Sequence, residues 1–202
     1  MGNIRTNRQL KLIEKNKANI YVISGPSAVG KDTIIENLQK LEHNFHFVVT
    51  ATTRKPRKNE KEGINHFFYS EQKFKKLIQN NDLIEWAKVY KNYYGVPKSQ
   101  IFEPLKNNKD VLLRVDVQGA KRIKELIPDV VLIFIKPEKT ESLRQRLIER
   151  GVNTTTEMTT RLKTAEREIQ TSDFFEFIIV NKDGDVQYAV KKVLDIIKDI
   201  KN

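Results

Sequence analysis

From Asn19 onward the chain alternates short blocks of apolar residues with longer stretches in which apolar residues recur at helical spacing. Residues 20–24 form a compact β-branched block that ends at Gly25 and Pro26, the pattern of a buried strand running into a turn. Over 32–41, Ile34, Ile35, Leu38 and Leu41 fall on one helical face. The same reading predicts strands at 47–50, 111–115 and 130–135, with a helix over 119–127 between the last two. Helices follow over 138–150, stopped by Gly151, and over 157–171; a strand at 177–180 and a closing helix to Ile200 complete the pattern. Strands that alternate with helices of ten or more residues predict an α/β fold, with a parallel sheet flanked by helices on both faces. Residues 52–97 break this rhythm, being rich in Tyr, Phe, Asn and charge, and read as an insertion over the ligand edge of the sheet.

Composition narrows the picture. The 202 residues suit one mid-sized domain, or one core with small inserted pieces, and they are 39% hydrophobic and 31% charged, as expected of a globular, highly charged chain. Lys and Arg number 37 against 26 Asp and Glu, a net +11 that suits a polyanionic ligand. With no cysteine, thiol catalysis, disulfides and Cys-based zinc sites are excluded. The three histidines, His43, His46 and His66, lack ligand-like spacing. The apolar runs are too short to span a bilayer and no secretory segment is visible, so a cytoplasmic protein is expected, an organellar location also being compatible. Residues 1–18 read as a basic tail, either solvated or a short exposed helix. Gly2 and Thr6 also fit the N-myristoylation spacing.

The sharpest motif is Gly25-Pro26-Ser27-Ala28-Val29-Gly30-Lys31, a match to G-x-x-x-x-G-K placed between a buried strand and an amphipathic helix. Glycines let the backbone curl so that its N–H groups converge on phosphate oxygens. The helix adds its positive end, and Lys31 bridges the outer phosphates of a triphosphate. Asp32 follows Lys31 where Ser or Thr usually supplies a magnesium ligand, and Thr33 comes one residue later. Mg²⁺ is therefore expected to be held mainly by nucleotide and water oxygens, with no direct side-chain ligand.

A second set of residues suits an acceptor phosphate and a base. In Thr52-Thr53-Arg54-Lys55-Pro56-Arg57 two arginines three apart flank a stiffening proline, a fork for a phosphate dianion, and Glu60 follows. Glu85-Trp86-Ala87 offers a carboxylate able to accept from guanine N1–H and the N2 amino group, and Asn92-Tyr93-Tyr94-Gly95 offers tyrosine hydroxyls. Trp86 and Tyr93 read more simply as packing aromatics.

Together, in this order and with Val115-Asp116-Val117-Gln118-Gly119-Ala120, these segments resemble the guanylate kinases over about nine-tenths of the chain. The stretches 46–54 and 94–98 look similar to the plant organellar branch. The resemblance implies a core of 19–51, 97–145 and 162–202, a GMP-binding insertion at 52–96 and a mobile lid at 146–161. It implies ATP and GMP as ligands, Mg²⁺ carried with ATP, a monomer or homodimer, and neither nucleic-acid binding nor stable membrane association. Residue by residue, Gly25 to Thr33 and Asn181 would bind ATP. Thr50, Arg54, Arg57, His66, Glu85, Tyr94 and Asp116 would bind GMP. Lys31, Arg146, Arg150 and Arg161 would carry the catalysis.

The chain departs from the family pattern at several of these positions. Thr50 stands for a common Ser, Asn59 for a Gly, and His66 for a Tyr whose phosphate contact would become pH-sensitive. Val96 stands for a Ser or Thr that touches guanine, and Arg114 for an acidic or polar residue. Two other readings stay open from the sequence: a kinase for a different monophosphate, and a non-catalytic binding module.

Overall fold

A computed structural model describes residues 18–41, 44–89, 91–149 and 154–201. The basic tail, apart from Ala18, and the Arg150–Gly151 helix stop therefore lie outside the described residues. The elements are β1 (Ile20–Ser24), α1 (Lys31–Leu41), β2 (Phe45–Phe47), β3 (Thr50–Thr52), β4 (His66–Phe68), α2 (Glu71–Gln79), β5 (Leu83–Val89), β6 (Asn92–Pro97) and α3 (Ser99–Lys106). They continue with β7 (Asp110–Arg114), α4 (Val117–Leu126), β8 (Val131–Pro137), α5 (Thr140–Glu149), α6 (Thr155–Gln170), β9 (Phe177–Asn181) and α7 (Val186–Lys201). A five-stranded sheet runs in the order β2-β7-β1-β8-β9, with β2 parallel to β7 and β8 parallel to β9. Its strands β1 and β8 are almost wholly buried, as their unbroken apolar runs predict for a sheet covered on both faces. Among the described residues, no helix is long and apolar enough to cross a membrane.

The chain forms two compact units. In the unit made of 22–41, 114–120 and 131–201, α1 packs on α7, which also meets β9. Ile34 and Leu38 of α1 are buried, as their helical spacing predicts, whereas Leu41 is 56% exposed. Here Ala28 of the glycine-rich loop packs with Leu147 of α5 and with Met158 and Leu162 of α6.

The other unit, 18–21, 44–113 and 121–130, contains a four-stranded sheet ordered β4-β3-β6-β5. One strand expected at 47–50 is instead two. Phe45–Phe47 pairs with β7, the Val48 N–H donates to the Leu112 carbonyl, and Thr50–Thr52 pairs with β4 and β6. The Gln100 side chain accepts from the Val49 N–H and bonds His46 across this crossover, satisfying the backbone where neither ladder can.

The four-stranded sheet is two-faced. Ala51, Phe67 and Tyr93 point to one side, where Phe74 of α2 fills the centre with Leu83, Leu77 and Ile78. Phe74 stacks on Tyr93 at 5.4 Å between ring centroids, and Ser70 caps α2 by accepting from the Lys73 N–H. Tyr93 is thus a packing aromatic, as read from the sequence, while Trp86 lies against it 42% exposed. The alternate residues, Thr50, His66, Tyr94 and Val96, take the opposite face, by the period of two that strands impose.

Because Phe74 is fully buried and holds α2 to the sheet, Phe74→Ala is expected to destabilise the protein by about 3–5 kcal/mol. Urea unfolding followed by circular dichroism measures this; a loss under about 1 kcal/mol would mean that the face is not packed as described.

Candidate functional site: a nucleotide cradle and an anion-binding sheet face

The loop between β1 and α1 curls as its motif predicts. Gly25 and Gly30 have φ of +143° and +104°, a region that disfavours side chains. A Cβ on Gly25 would collide with the Ile135 carbonyl, and one on Gly30 would lie 2.5 Å from Asn181 Nδ2. Ala28 also takes a positive φ, of 65°, and is held there by its packing against α5 and α6. Lys31 folds back over the loop, its Nζ donating to the carbonyls of Gly25 at 2.5 Å and Pro26 at 3.0 Å.

Two long-range donors fix the same loop. Asn181 Nδ2 and Arg146 Nη1 both donate to the Val29 carbonyl, at 2.8 and 2.9 Å. Arg146 is in turn held by Asp183 at 2.8 Å, which also accepts from Ser142. A cleft of about 440 Å³ opens here, lined by Gly30, Thr33, Arg146, Asn181, Lys182 and Val186 among others. Asn181 is 4% exposed and its Oδ1 has no hydrogen-bond partner, so it presents a buried acceptor at the loop.

Acidic groups surround the cradle. Asp32 is ion-paired with Arg114, so the two unusual residues at these positions compensate each other. Asp116 accepts from the Gly119 N–H at 2.7 Å and thereby starts α4. Burial pushes the Glu168 carboxyl up to about 7; the Lys31 charge opposes this and that of Asp116 adds to it. Glu168 was missed in the sequence. The available signal was its position seven residues beyond Arg161, two turns along the same helix. Arg161 is bonded to Glu157 one turn before it, at 2.6 Å. Among the described residues, no group of three or more His, Cys, Asp or Glu is placed to hold a metal ion. Arg150 lies outside the described residues.

On the polar face of the four-stranded sheet, Thr50 Oγ1 and His66 Nδ1 are 2.8 Å apart, and the His66 and Tyr94 rings are 6.5 Å apart. Arg54 meets the Tyr94 hydroxyl and lies over Phe68, and both of its terminal nitrogens donate to Glu60, at 2.5 and 2.6 Å. Glu60 also accepts from the Arg57 N–H at 2.8 Å and lies 3.8 Å from the Arg57 guanidinium. Burial would raise the Glu60 carboxyl, but the hydrogen bonds and charges of Arg54 and Arg57 bring it down to about 2. The turn through Asn59 needs no positive φ, so a glycine is not required there. The Arg54 Nε–H is buried without a partner, an unspent donor in the middle of this cluster. Thr50, Arg54, Arg57, His66 and Tyr94 are thus gathered on one surface.

Glu85 reaches the same face through an irregularity. Leu83 pairs with Pro97 but Glu85 pairs with Val96, so two residues of β5 span one of β6. This bulge turns Glu85 away from the side that Leu83 occupies. Glu85 is 8% exposed and ion-paired with Arg122 of α4, a residue the sequence reading did not single out.

The described geometry defines a nucleoside-phosphate-binding α/β protein of the phosphate-loop class, with a second polar surface suited to another phosphate. The comparisons take this further. The guanylate kinase family model matches residues 17–200, and the chain belongs to the guanylate kinase family. It is 41% identical over 186 residues to the guanylate kinase of Clostridioides difficile, covering 92% of this chain and 90% of that protein. A chloroplastic/mitochondrial guanylate kinase 2 of rice is 40% identical over 179 residues, 88% of this chain and 63% of the longer plant protein. The crystal structure of guanylate kinase from Anaplasma phagocytophilum superposes with a TM-score of 0.73 at 32% identity, covering 91% of this chain and 86% of that one.

Burial, and then the Arg54 charge, lower His66 from 6.5 to about 4, so its ring is neutral around pH 7. Near neutrality His66 therefore brings no positive charge to this face. Between about pH 4 and 6.5 the unfolded chain binds the extra proton, so this contribution is complete above pH 6.5 and is lost as pH falls through that window. Glu168, whose carboxyl is raised, acts in the opposite sense between its ordinary range and about pH 7. The difference between wild type and His66→Gln isolates the histidine. Urea-derived stability of wild type minus variant should fall by up to about 3 kcal/mol from pH 7 to pH 4. A difference that stays flat would show His66 to be freely protonated.

Proposed function

We propose that the protein transfers the γ-phosphoryl group of ATP to GMP, and to dGMP as well, giving ADP and GDP. The observation that carries this reading is the pairing, in one chain, of a triphosphate cradle carrying Lys31 with a sheet face that presents an unspent arginine donor and a buried carboxylate. Relatives named guanylate kinase at about 41% identity support it.

On this reading the loop Gly25 to Thr33 holds the ATP phosphates, and Lys31 exchanges the Gly25 and Pro26 carbonyls for phosphate oxygens. Asn181 offers its unsatisfied oxygen to the adenine amino group. Mg²⁺ bound with ATP would be held mainly by nucleotide and water oxygens, with no direct side-chain ligand, and would supply charge neutralisation of the phosphates. Residues 52–96 act as the GMP-binding insertion, whose Arg54, Arg57, His66 and Tyr94, with Thr50 just before it, grip the monophosphate. Glu85 reads the N1–H and N2 donors of guanine, with Asp116 as a second polar contact. Residues 146–161 act as a lid whose Arg146 and Arg150, together with Arg161 of the following helix, neutralise charge on the transferred group. Phosphoryl transfer asks for alignment, charge neutralisation and exclusion of water, and an acceptor dianion needs no general base.

A coupled assay of ADP release with ATP and Mg²⁺, comparing GMP, dGMP, IMP and AMP, tests the reading. Turnover is expected with GMP and dGMP and to be far slower with AMP. Silence with GMP despite ATP binding would point to another acceptor or to a non-catalytic module. Lys31→Ala should lower kcat on the order of 10²–10³-fold, with stability changed by less than about 1 kcal/mol. Unchanged turnover in that variant would remove the cradle from the mechanism.

A further inference from the structure

Glu85 is nearly buried, and Arg122 is ion-paired with it. Nε and Nη2 of Arg122 both donate to Glu85 Oε2, at 3.3 and 2.9 Å, while the arginine side chain keeps 39% of its surface exposed. A guanidinium carries five N–H donors in one rigid plane. Glu85 uses two of them, and the plane fixes the direction of the rest beside the carboxylate. The neighbouring position across the strand pair is Val96, fully buried and without any hydrogen-bonding group in its side chain.

The result is a row of two carboxylate acceptors followed by a guanidinium donor. Guanine presents the complement along one edge: the N2 amino donor, the N1–H donor and the O6 acceptor. Adenine presents an acceptor at N1 and a donor at its 6-amino group, so it opposes the row at both places. Resting on the reading of Glu85 given above, we propose that Arg122 is a specificity-determining residue of the acceptor site: it donates to O6 of the base while holding Glu85 ionised and in place. A planar fork suits this double duty, since it can bond the carboxylate and the base oxygen together, which a single ammonium point does less well. Arginine is for the same reason a common reader of guanine oxygen and nitrogen acceptors.

The experiment compares wild type with Arg122→Met, Arg122→Lys and Glu85→Gln, using GMP, AMP and 6-thio-GMP as acceptors. The sulfur analogue keeps both donors and weakens only the acceptor at position 6. In Arg122→Met the ratio of kcat/KM for GMP over AMP should fall by about 10- to 100-fold. The wild-type penalty for 6-thio-GMP relative to GMP should shrink toward unity. A residue that only orients Glu85 would leave that sulfur penalty unchanged, and this result would overturn the proposal. Arg122→Lys keeps a cation beside Glu85 and guards against a variant too unstable to assay. Its sulfur penalty should also fall, and full retention of both ratios would count against the fork. If Glu85→Gln collapses the GMP over AMP ratio while Arg122→Met does not, this proposal falls and the Glu85 reading stands. If Glu85→Gln leaves the ratio intact, both fail.

Discussion

A cation taken out of water costs several kcal/mol unless an opposite charge accompanies it, and the functional surfaces of this protein are organised by that cost. The arginines proposed to meet phosphate are subject to the same cost. Carboxylates accompany these arginines: Glu60 takes both terminal nitrogens of Arg54, Asp183 takes Arg146, and Glu157 takes Arg161. On the proposed reading, binding an anion is an exchange of one carboxylate for a phosphate rather than the filling of an empty charged hole. The depressed Glu60 carboxyl is the measure of how strongly its arginines attract negative charge.

The same constraint explains two substitutions that look unfavourable in isolation. Asp32 would place a carboxylate beside the phosphates, and Arg114 would place a cation where the family usually has an acidic or polar residue. Side by side they form an ion pair and neither charge is left alone. At Glu85 the paired cation does more than neutralise, since its exposed plane remains beside the carboxylate it anchors.

Position follows from packing. Ala28 ties the phosphate loop to α5 and α6, the helices that carry Arg146 and Arg161, so loop shape and arginine placement share one apolar contact. In the four-stranded sheet, Phe74 fills one face so that the other can remain polar, and strand alternation then places Thr50, His66 and Tyr94 together.

The sequence by itself determined the alternation of strands and helices, the phosphate loop and the ordered motifs that mark the family. Each of these depends on local spacing or on short-range backbone chemistry: solid apolar blocks for buried strands, a helical apolar stripe for α1, glycines where φ must be positive. The arginines at 54 and 57 were legible for the same reason, as a short fork around a proline. What tertiary structure decided depended on partners far away in the chain. The break between β2 and β3 is imposed by two different sheets competing for one stretch of backbone, and nothing within 47–50 announces it. The side to which Glu85 points is set by a bulge against β6, and a single extra residue in a strand reverses every side chain after it. Glu168 near Lys31 and Arg122 on Glu85 are joined across 137 and 37 positions, separations that a local pattern cannot register. The neutral state of His66 is likewise a consequence of burial and of the neighbouring Arg54 charge, which exist only once the chain has folded.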